Sequence, residues 1–445
     1  MEVAEVAVKK ALGLGATEVE VYTQKTKNVR VEFDEKIQSL KTTESLGIGL
    51  RVALGRKIAT CATSILDEKE ISEIATRTVK IAKVAPEDPH WKHMNKKFGK
   101  SSAQEYYDKA LEDLEHKEII EKLIPAIDLM KNYDKRVKPT RGILNVSTSN
   151  VSILNNYNES SERRESNIEV WMRTKAKEAN MESTGNEHQE TRFWKETKFE
   201  ELAEKAAEKA VKFLKAKPVS SGQMAVVIRN QIFANIFGWI LNGPITAEWV
   251  QKGRSPLANK VGIQIATEDL SIADDGLMPK GWRTKPFDDE GHPTQRTPII
   301  EKGVLKSYIY DNYTAIKDDV ESTGNAFRAF YWASPQPAPT NLILKAGKTS
   351  PEEIIQDTKK GVFVEETIGE WLSNPVSGNL NATISHGYLI ENGELRQPIK
   401  GAVISGNFYE LLKDGIEVIG NDLRNSAHCY SPTVKLTKLT LAGQE

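Results

Sequence analysis

Residues 18–24 (EVEVYTQ) and 28–34 (NVRVEFD) put an apolar side chain at nearly every second position, with charged or polar residues between. A period of two marks a strand with one buried and one wet face, because successive side chains point to opposite sides. Residues 36–42 (KIQSLKT), 46–54 (LGIGLRVAL) and 57–64 (KIATCATS) continue the pattern, so an antiparallel sheet is expected. Before it, residues 2–12 read as a short helix stopped by Gly13 and Gly15. After it, DEKEISEIATRTVKIAKVA (67–85) carries apolar residues at helical spacing, with Asp67 as an N-cap ahead of Glu70. A helix over about 118–132, strands over 141–180 with a turn at Ser149-Asn150, and a third helix in KFEELAEKAAEKAVKFLKA (198–216) follow. A sheet with packed helices gives an α+β first domain.

KPVSSGQ (217–223) is the expected linker: Pro, two Ser and Gly stand between that third helix and the strand MAVVIRN. It separates an α+β domain over 1–216 from a β-rich, barrel-like domain over 224–445. Within the second domain, PIIEKGVLKSYIYDN (298–312) and GYLIENGELRQPIKG (387–401) each read as a hairpin. Lys302-Gly303 and Asn392-Gly393 supply the turns.

The formal net charge is −1, with both signs well mixed, so no basic stripe tracks a nucleic-acid backbone. Two cysteines, Cys61 and Cys429, are too few for a disulfide scaffold and fit a reducing compartment. No stretch approaches the roughly 18 to 20 apolar residues of a membrane span. The first residues lack the apolar core of a signal peptide. The expected location is cytoplasmic.

Chemistry is suggested at several places. FDDEGHP (287–293) holds Asp288, Asp289, Glu290 and His292 within five positions, ligand types for several divalent metals. Gly291 and Pro293 equally fit a structural turn capped by an Asp, or a loop lining a substrate cleft. His90 and His93 lack a third ligand nearby, so that loop reads as solvated. His428 and Cys429 are adjacent, and in a strand would face opposite ways, which argues against a nucleophile–base pair. Neither GLGATEV nor LGIGLRVALG has the spacing of a dinucleotide fingerprint.

From about residue 224 onward the chain resembles the TldD/TldE (PmbA) family of metallopeptidase proteins, once described as modulators of DNA gyrase. The stretches that carry the resemblance run in order: QKGRSPLANKVG, IADDG, FDDEGHPTQRTPIIEKGVLKSYIYDNYTA, STGNAFRAF, APTNLILKAG, EEIIQDTKKGVFVEE, GYLIENGELRQPIKGAVISGN, VIGND and SPTVKLTKLTLAG. GATEVEV and LGIGLRVALGRKIAT extend it less specifically into the first half. The TldD kind of subunit carries His-Glu-x-x-x-His on a helix and a cysteine in a C-terminal Cys-Gly-Lys. Its histidines hold a metal, expected to be zinc, and its glutamate suits activation of bound water.

Here the six matching positions are GWILNG (238–243). Gly238 and Gly243 stand where the ligands would be and Trp239 where the acid would be, with Trp239 and Ile240 expected to pack into the vacated space. No Cys-Gly-Lys follows VIGNDLRNSAH. The resemblance therefore implies the TldE/PmbA kind, which holds no metal or other cofactor and has no catalytic residue of its own. Such a chain pairs with a TldD-like, zinc-bearing subunit as a dimer for proteolysis of unfolded or extended peptides. Asp288, Asp289, Glu290, Asn325 and Arg328 are expected to border the cleft or the subunit contact. Two rivals are a stand-alone hydrolase built on His292, His386 and His428 with Asp289 or Glu290, and a non-enzymatic peptide- or partner-binding homodimer.

Overall fold

The computed structural model describes residues 2–443. With 24% helix and 40% strand it is of mixed class, and the expected α+β reading holds. The first half is a six-stranded antiparallel sheet. Its strands are β1 (Glu18–Phe33), β2 (Ile37–Leu54), β3 (Lys57–Thr63), β4 (Val137–Asn155), β5 (Ser160–Glu178) and β6 (Met181–Thr191), in the order β3-β2-β1-β4-β5-β6. The two segments 18–24 and 28–34 are one strand. The polar residues between them keep the ladder, Lys25 opposite Leu46 and Thr26 opposite Ser45. Likewise Ser149-Asn150 is no turn. It lies mid-strand opposite Glu165 and Arg164, and Ser149 Oγ meets Thr26 Oγ1 at 2.9 Å. Turn-forming side chains are neutral in a strand once a neighbour satisfies them.

Helices cover one face at both ends. Helix α1 (Glu2–Gly13) and α2 (Glu68–Val84) pack Ala7, Ala11, Ile71 and Val79 against Val19, Leu50 and Val52. Asp67 caps α2, accepting the Glu70 N–H at 2.7 Å. Helix α3 (His116–Asn132) and α4 (Phe199–Lys212) pack Leu123, Ile127, Phe199 and Leu202 on Val31, Leu144 and Val170. The expectation of one wet face fails at residues 18–22, which are buried on both sides. There Trp91, Met94 and Tyr157 cover Glu18, while the second half of the chain reaches Glu20 through Arg328 and Tyr22 through Phe287.

The second half begins with β7 (Gly222–Ile228) and helix α5 (Asn230–Leu241). Strand β7 pairs in parallel with residues 360–368 and antiparallel with 434–442. The ladder continues through 403–407 and 379–391, which pairs back onto 360–368. Five strands thus close into a small barrel, as expected for this half. Val226, Ile228, Leu436 and Ile404 fill it, with Phe233 and Phe237 of α5 over them. A second sheet of six short strands, from 272–275 to 429–431, flanks α5. Both expected hairpins form with left-handed turn residues, φ being +47° and +77° at Lys302-Gly303 and +52° and +78° at Asn392-Gly393.

Helix α4 lies close on β6 because Gly185 has no side chain. A Cβ there would run into the backbone at Ala206 and Ala210. Gly185→Ala is expected to lower the stability read from urea unfolding by about 1–3 kcal/mol, the usual overpacking cost. Gly13→Ala, at a site with open space around it, is expected to stay within about 0.5 kcal/mol of the parent.

Candidate functional site

Residues 287–293 fold back on themselves. Phe287 bridges Pro293, the Asp288 N–H donates to His292 O at 2.8 Å, and Gly291 takes the left-handed step at φ +82°. Asp288 Oδ1 accepts the N–H groups of Glu290 and His292, both at 2.9 Å, and its Oδ2 accepts that of Ala326 at 2.9 Å. Asp288 is therefore a turn cap. Burial pushes its carboxyl up, with His292 opposing and Glu290 reinforcing the shift.

The two acids that follow reach into the first half of the chain. Arg51 of β2 donates one nitrogen to Glu290 at 2.8 Å and to Glu20 of β1 at 2.9 Å. Arg328 pairs with the other oxygen of Glu20, and its backbone N–H donates to Asp289 at 2.6 Å. Asp289 pairs with Arg163 of β5 and with Lys285 at 3.1 Å, and Arg163 also reaches Glu165 at 2.6 Å. None of Glu20, Arg51, Arg163, Asp289, Glu290 and Arg328 is more than 5% exposed. Burial works against the Asp289 carboxylate, but Lys285 and Arg163 outweigh it and hold the group at about 2. Glu290 is likewise lowered against burial, by Arg51 above all.

The loop 86–100 is part of this seam rather than solvated. Trp91, Met94 and Asn95 are buried. Asn95 Nδ2 donates to Glu290 O, and Asn312 Nδ2 to His93 O, both at 2.9 Å. A largely polar stretch reads as a wet loop when the partners that bury it lie far along the chain. His93 is half-buried, with Nδ1 2.9 Å from Met94 O, while His90 is exposed.

On α5 the space beside Gly238 is taken by Cys429. A Cβ on Gly238 would collide with its Sγ, and one on Gly243 would enter the indole of Trp249. Trp239 points elsewhere: it is 47% exposed, with Nε1 donating to Ser373 O at 3.1 Å. Ile240 is in the core. The expectation that Trp239 and Ile240 fill the vacated positions is thus corrected, because side chains from distant segments fill them.

His428 and Cys429 do converge. The chain reverses in a two-residue turn at Ala427-His428, with Ala427 at φ +50°, so strand alternation does not apply across the pair. His428 Nε2 lies 3.3 Å and Cys429 Sγ 3.8 Å from Asn242 Oδ1. Burial pushes the Cys429 thiol up to about 12 despite Arg283, and burial with Arg283 keeps His428 neutral well below its usual range. A protonated thiol beside a neutral imidazole is not an activated nucleophile.

The three histidines of the hydrolase rival have separate surroundings. His292 faces Asn312 Oδ1 at 3.1 Å, His428 faces Asn242, and His386 bonds Thr184 O at 2.6 Å and Glu366 at 3.0 Å. Asp289, Asn325 and Arg328 line a cavity of about 310 Å³ between the two halves, while Asp288 and Glu290 lie buried beneath it. Asn325 donates to Asp274 at 2.6 Å, and burial raises that carboxyl to about 6. A larger groove of about 780 Å³ on the first sheet shares Arg163 with this cavity.

Three family profiles match in sequence. They are described as PmbA/TldA metallopeptidase domain 1 at residues 19–82, the central domain at 109–214 and the C-terminal domain at 221–443. The chain belongs to the PmbA/TldD metallopeptidase family. An uncharacterized protein of Methanocaldococcus jannaschii is 28% identical over 94% of each chain. A metalloprotease of that organism is 28% identical over 85% of this chain and 84% of its own. The crystal structure of TldE from Thermococcus kodakarensis superposes with a TM-score of 0.91 at 22% identity, covering 99% of this chain and 100% of that one, a likeness of fold.

A metallopeptidase family implies a metal, and the residues here do not fit one. Gly238 on α5 and Gly243 just after it lack donors, burial keeps the Cys429 thiol beside Gly238 protonated, and a zinc site needs three or four ligands. Among the described residues no three His, Cys, Asp or Glu side chains are grouped as ligands.

Truncating one member of the buried seam leaves its partner's charge uncompensated. Arg51→Met and Arg328→Met are each expected to cost about 3–5 kcal/mol in chemical unfolding. Asp289, held below its ordinary value, contributes stability that is fully present above the normal carboxylate range. That contribution is lost as pH falls toward 2. Acid titration of unfolding should show this loss, and Asp289→Asn should flatten it.

Proposed function

We propose that this chain is a TldE/PmbA-like subunit that pairs with a TldD-like, zinc-bearing chain in the cytoplasm. It would help form a cleft for unfolded or extended peptides and supply no metal or catalytic residue. The observation that carries this reading is the closed space at Gly238 and Gly243. A side chain large enough to ligate cannot be placed there without displacing Cys429 and Trp249. The helix is packed as a structural element, and α5 keeps its place while its chemistry belongs to a partner.

An exposed apolar surface beside α5 supports a subunit contact. Trp239 is 47%, Trp371 61% and Leu372 67% exposed, and Ser373 O accepts the Trp239 indole N–H. Grouped large apolar side chains on a surface mark association sites. Asp289, Asn325 and Arg328 fit the cleft role through the cavity they line, and Asp288 and Glu290 fit it as support from beneath.

Co-purification with a TldD-like chain of the same source tests this directly. The isolated chain is expected to carry no stoichiometric zinc and to cleave no peptide, while the mixed complex cleaves and chelator abolishes that activity. Trp371→Glu is expected to weaken co-purification at least tenfold without changing the fold. Unit zinc on the isolated chain, or a homodimer that refuses the partner, would refute the reading.

A further inference from the structure

The cavity of about 310 Å³ between the halves is lined by five cationic side chains, Arg163, Arg192, Arg283, Lys285 and Arg328, and by the carboxylates Glu165, Glu169 and Asp289. Positive charge is in excess, and the partners are unevenly shared. Asp289 is taken by Arg163 and Lys285, Glu165 by Arg163, and Arg328 spends itself on Glu20, which lies outside the lining. Among the described residues, neither Arg192 nor Arg283 has a carboxylate within ion-pair distance.

The two differ in what holds them. Arg192 is fully covered and donates to the carbonyls of Trp282 and Tyr106, so its nitrogens are committed. Arg283 makes one side-chain hydrogen bond, to Pro339 O at 3.2 Å, and lies over the Phe327 ring at 4.7 Å. That leaves most of a planar, five-donor fork without a partner. Burial lowers both guanidinium groups, Arg192 to about 10, which states how poorly water serves them there. An anion would relieve that cost.

We infer that the cavity is a carboxylate-binding subsite for peptides, in which Arg283 receives an acidic side chain by charge-assisted hydrogen bonds. Phe327 holds the guanidinium plane from one side. Asn167 and Thr340 on the cavity wall are held in place by hydrogen bonds to Trp282 O and Asp274. A site of this volume suits one side chain and its flanking backbone rather than a folded partner. This inference rests on the proposal that the cleft takes peptides, and it concerns the isolated chain, so its failure leaves pairing with a TldD-like subunit standing.

Calorimetric titration of the full chain tests it with a blocked pentapeptide carrying a central aspartate, the same peptide with asparagine, and inorganic phosphate. The aspartate peptide is expected to bind at least tenfold tighter than its asparagine analogue, and less so as salt rises. Arg283→Gln should erase that preference and Arg283→Lys should keep part of it, with thermal unfolding of each variant checked against the parent. The preference of the parent chain is decisive even if one variant fails to fold. Equal binding of the two peptides, no binding of either, or an undiminished preference in Arg283→Gln would overturn the inference. Phosphate binding as tightly as the aspartate peptide would also overturn it, by assigning the site to free anions.

Discussion

A buried chain of charge joins the two halves of this molecule. Glu20 on the first sheet is shared by Arg51 and Arg328, and these lead to Glu290 and Asp289 on one turn of the second half. Carboxylates and guanidinium groups taken out of water are costly unless opposite charges or hydrogen-bond partners compensate them. The turn can therefore adopt one position against the sheet, and the position of the sheet is fixed by the turn. The cavity exists because of this constraint: its walls come from both halves, and the ion pairs set how far apart they stand.

Such a seam contributes less net stability than apolar packing of the same volume would. Its use is directional. A hydrophobic interface tolerates sliding, whereas a guanidinium held between two carboxylates does not. The second contact between the halves repeats the device. Lys209 and Arg229 there share Glu187 and Glu365, and burial of Glu187 is outweighed by Lys209 and Arg229, which hold its carboxyl at about 2. Two charged seams at separate places fix the orientation of the second half on the first.

Against this rigid frame, α5 and the turn after it present glycines at positions 238 and 243, which carry no donor atoms. These two glycines let the Cys429 thiol and the Trp249 indole pack against the backbone. Once filled, the space cannot be reopened by a single substitution, since Cys429 and Trp249 would both need to move. The neutral His428 and protonated Cys429 beside Asn242 are stable packing partners. Among the described residues, Arg283, between that cluster and the cavity, is the one guanidinium there left largely unspent.

The periodic patterns in the chain determined the antiparallel sheet, the helices at its ends, and both hairpins. These depend on local alternation, caps and turn residues, which a sequence displays directly. That positions 238 and 243 carry no donor side chain is equally a matter of residue type. Only the tertiary structure decided what surrounds them. Glu18 and Glu20 alternate with valines as wet-face residues do, and no periodicity distinguishes a charge facing water from one facing Trp91 and Tyr157, as Glu18 does, or Arg51 and Arg328, as Glu20 does. His428 and Cys429 both reach Asn242 because a two-residue turn cancels strand alternation, and Trp91, Met94 and Asn95 of the loop 86–100 are buried by partners far along the chain. Long-range pairing sets each of these, and pairing between distant charges leaves no imprint on the local order of residues.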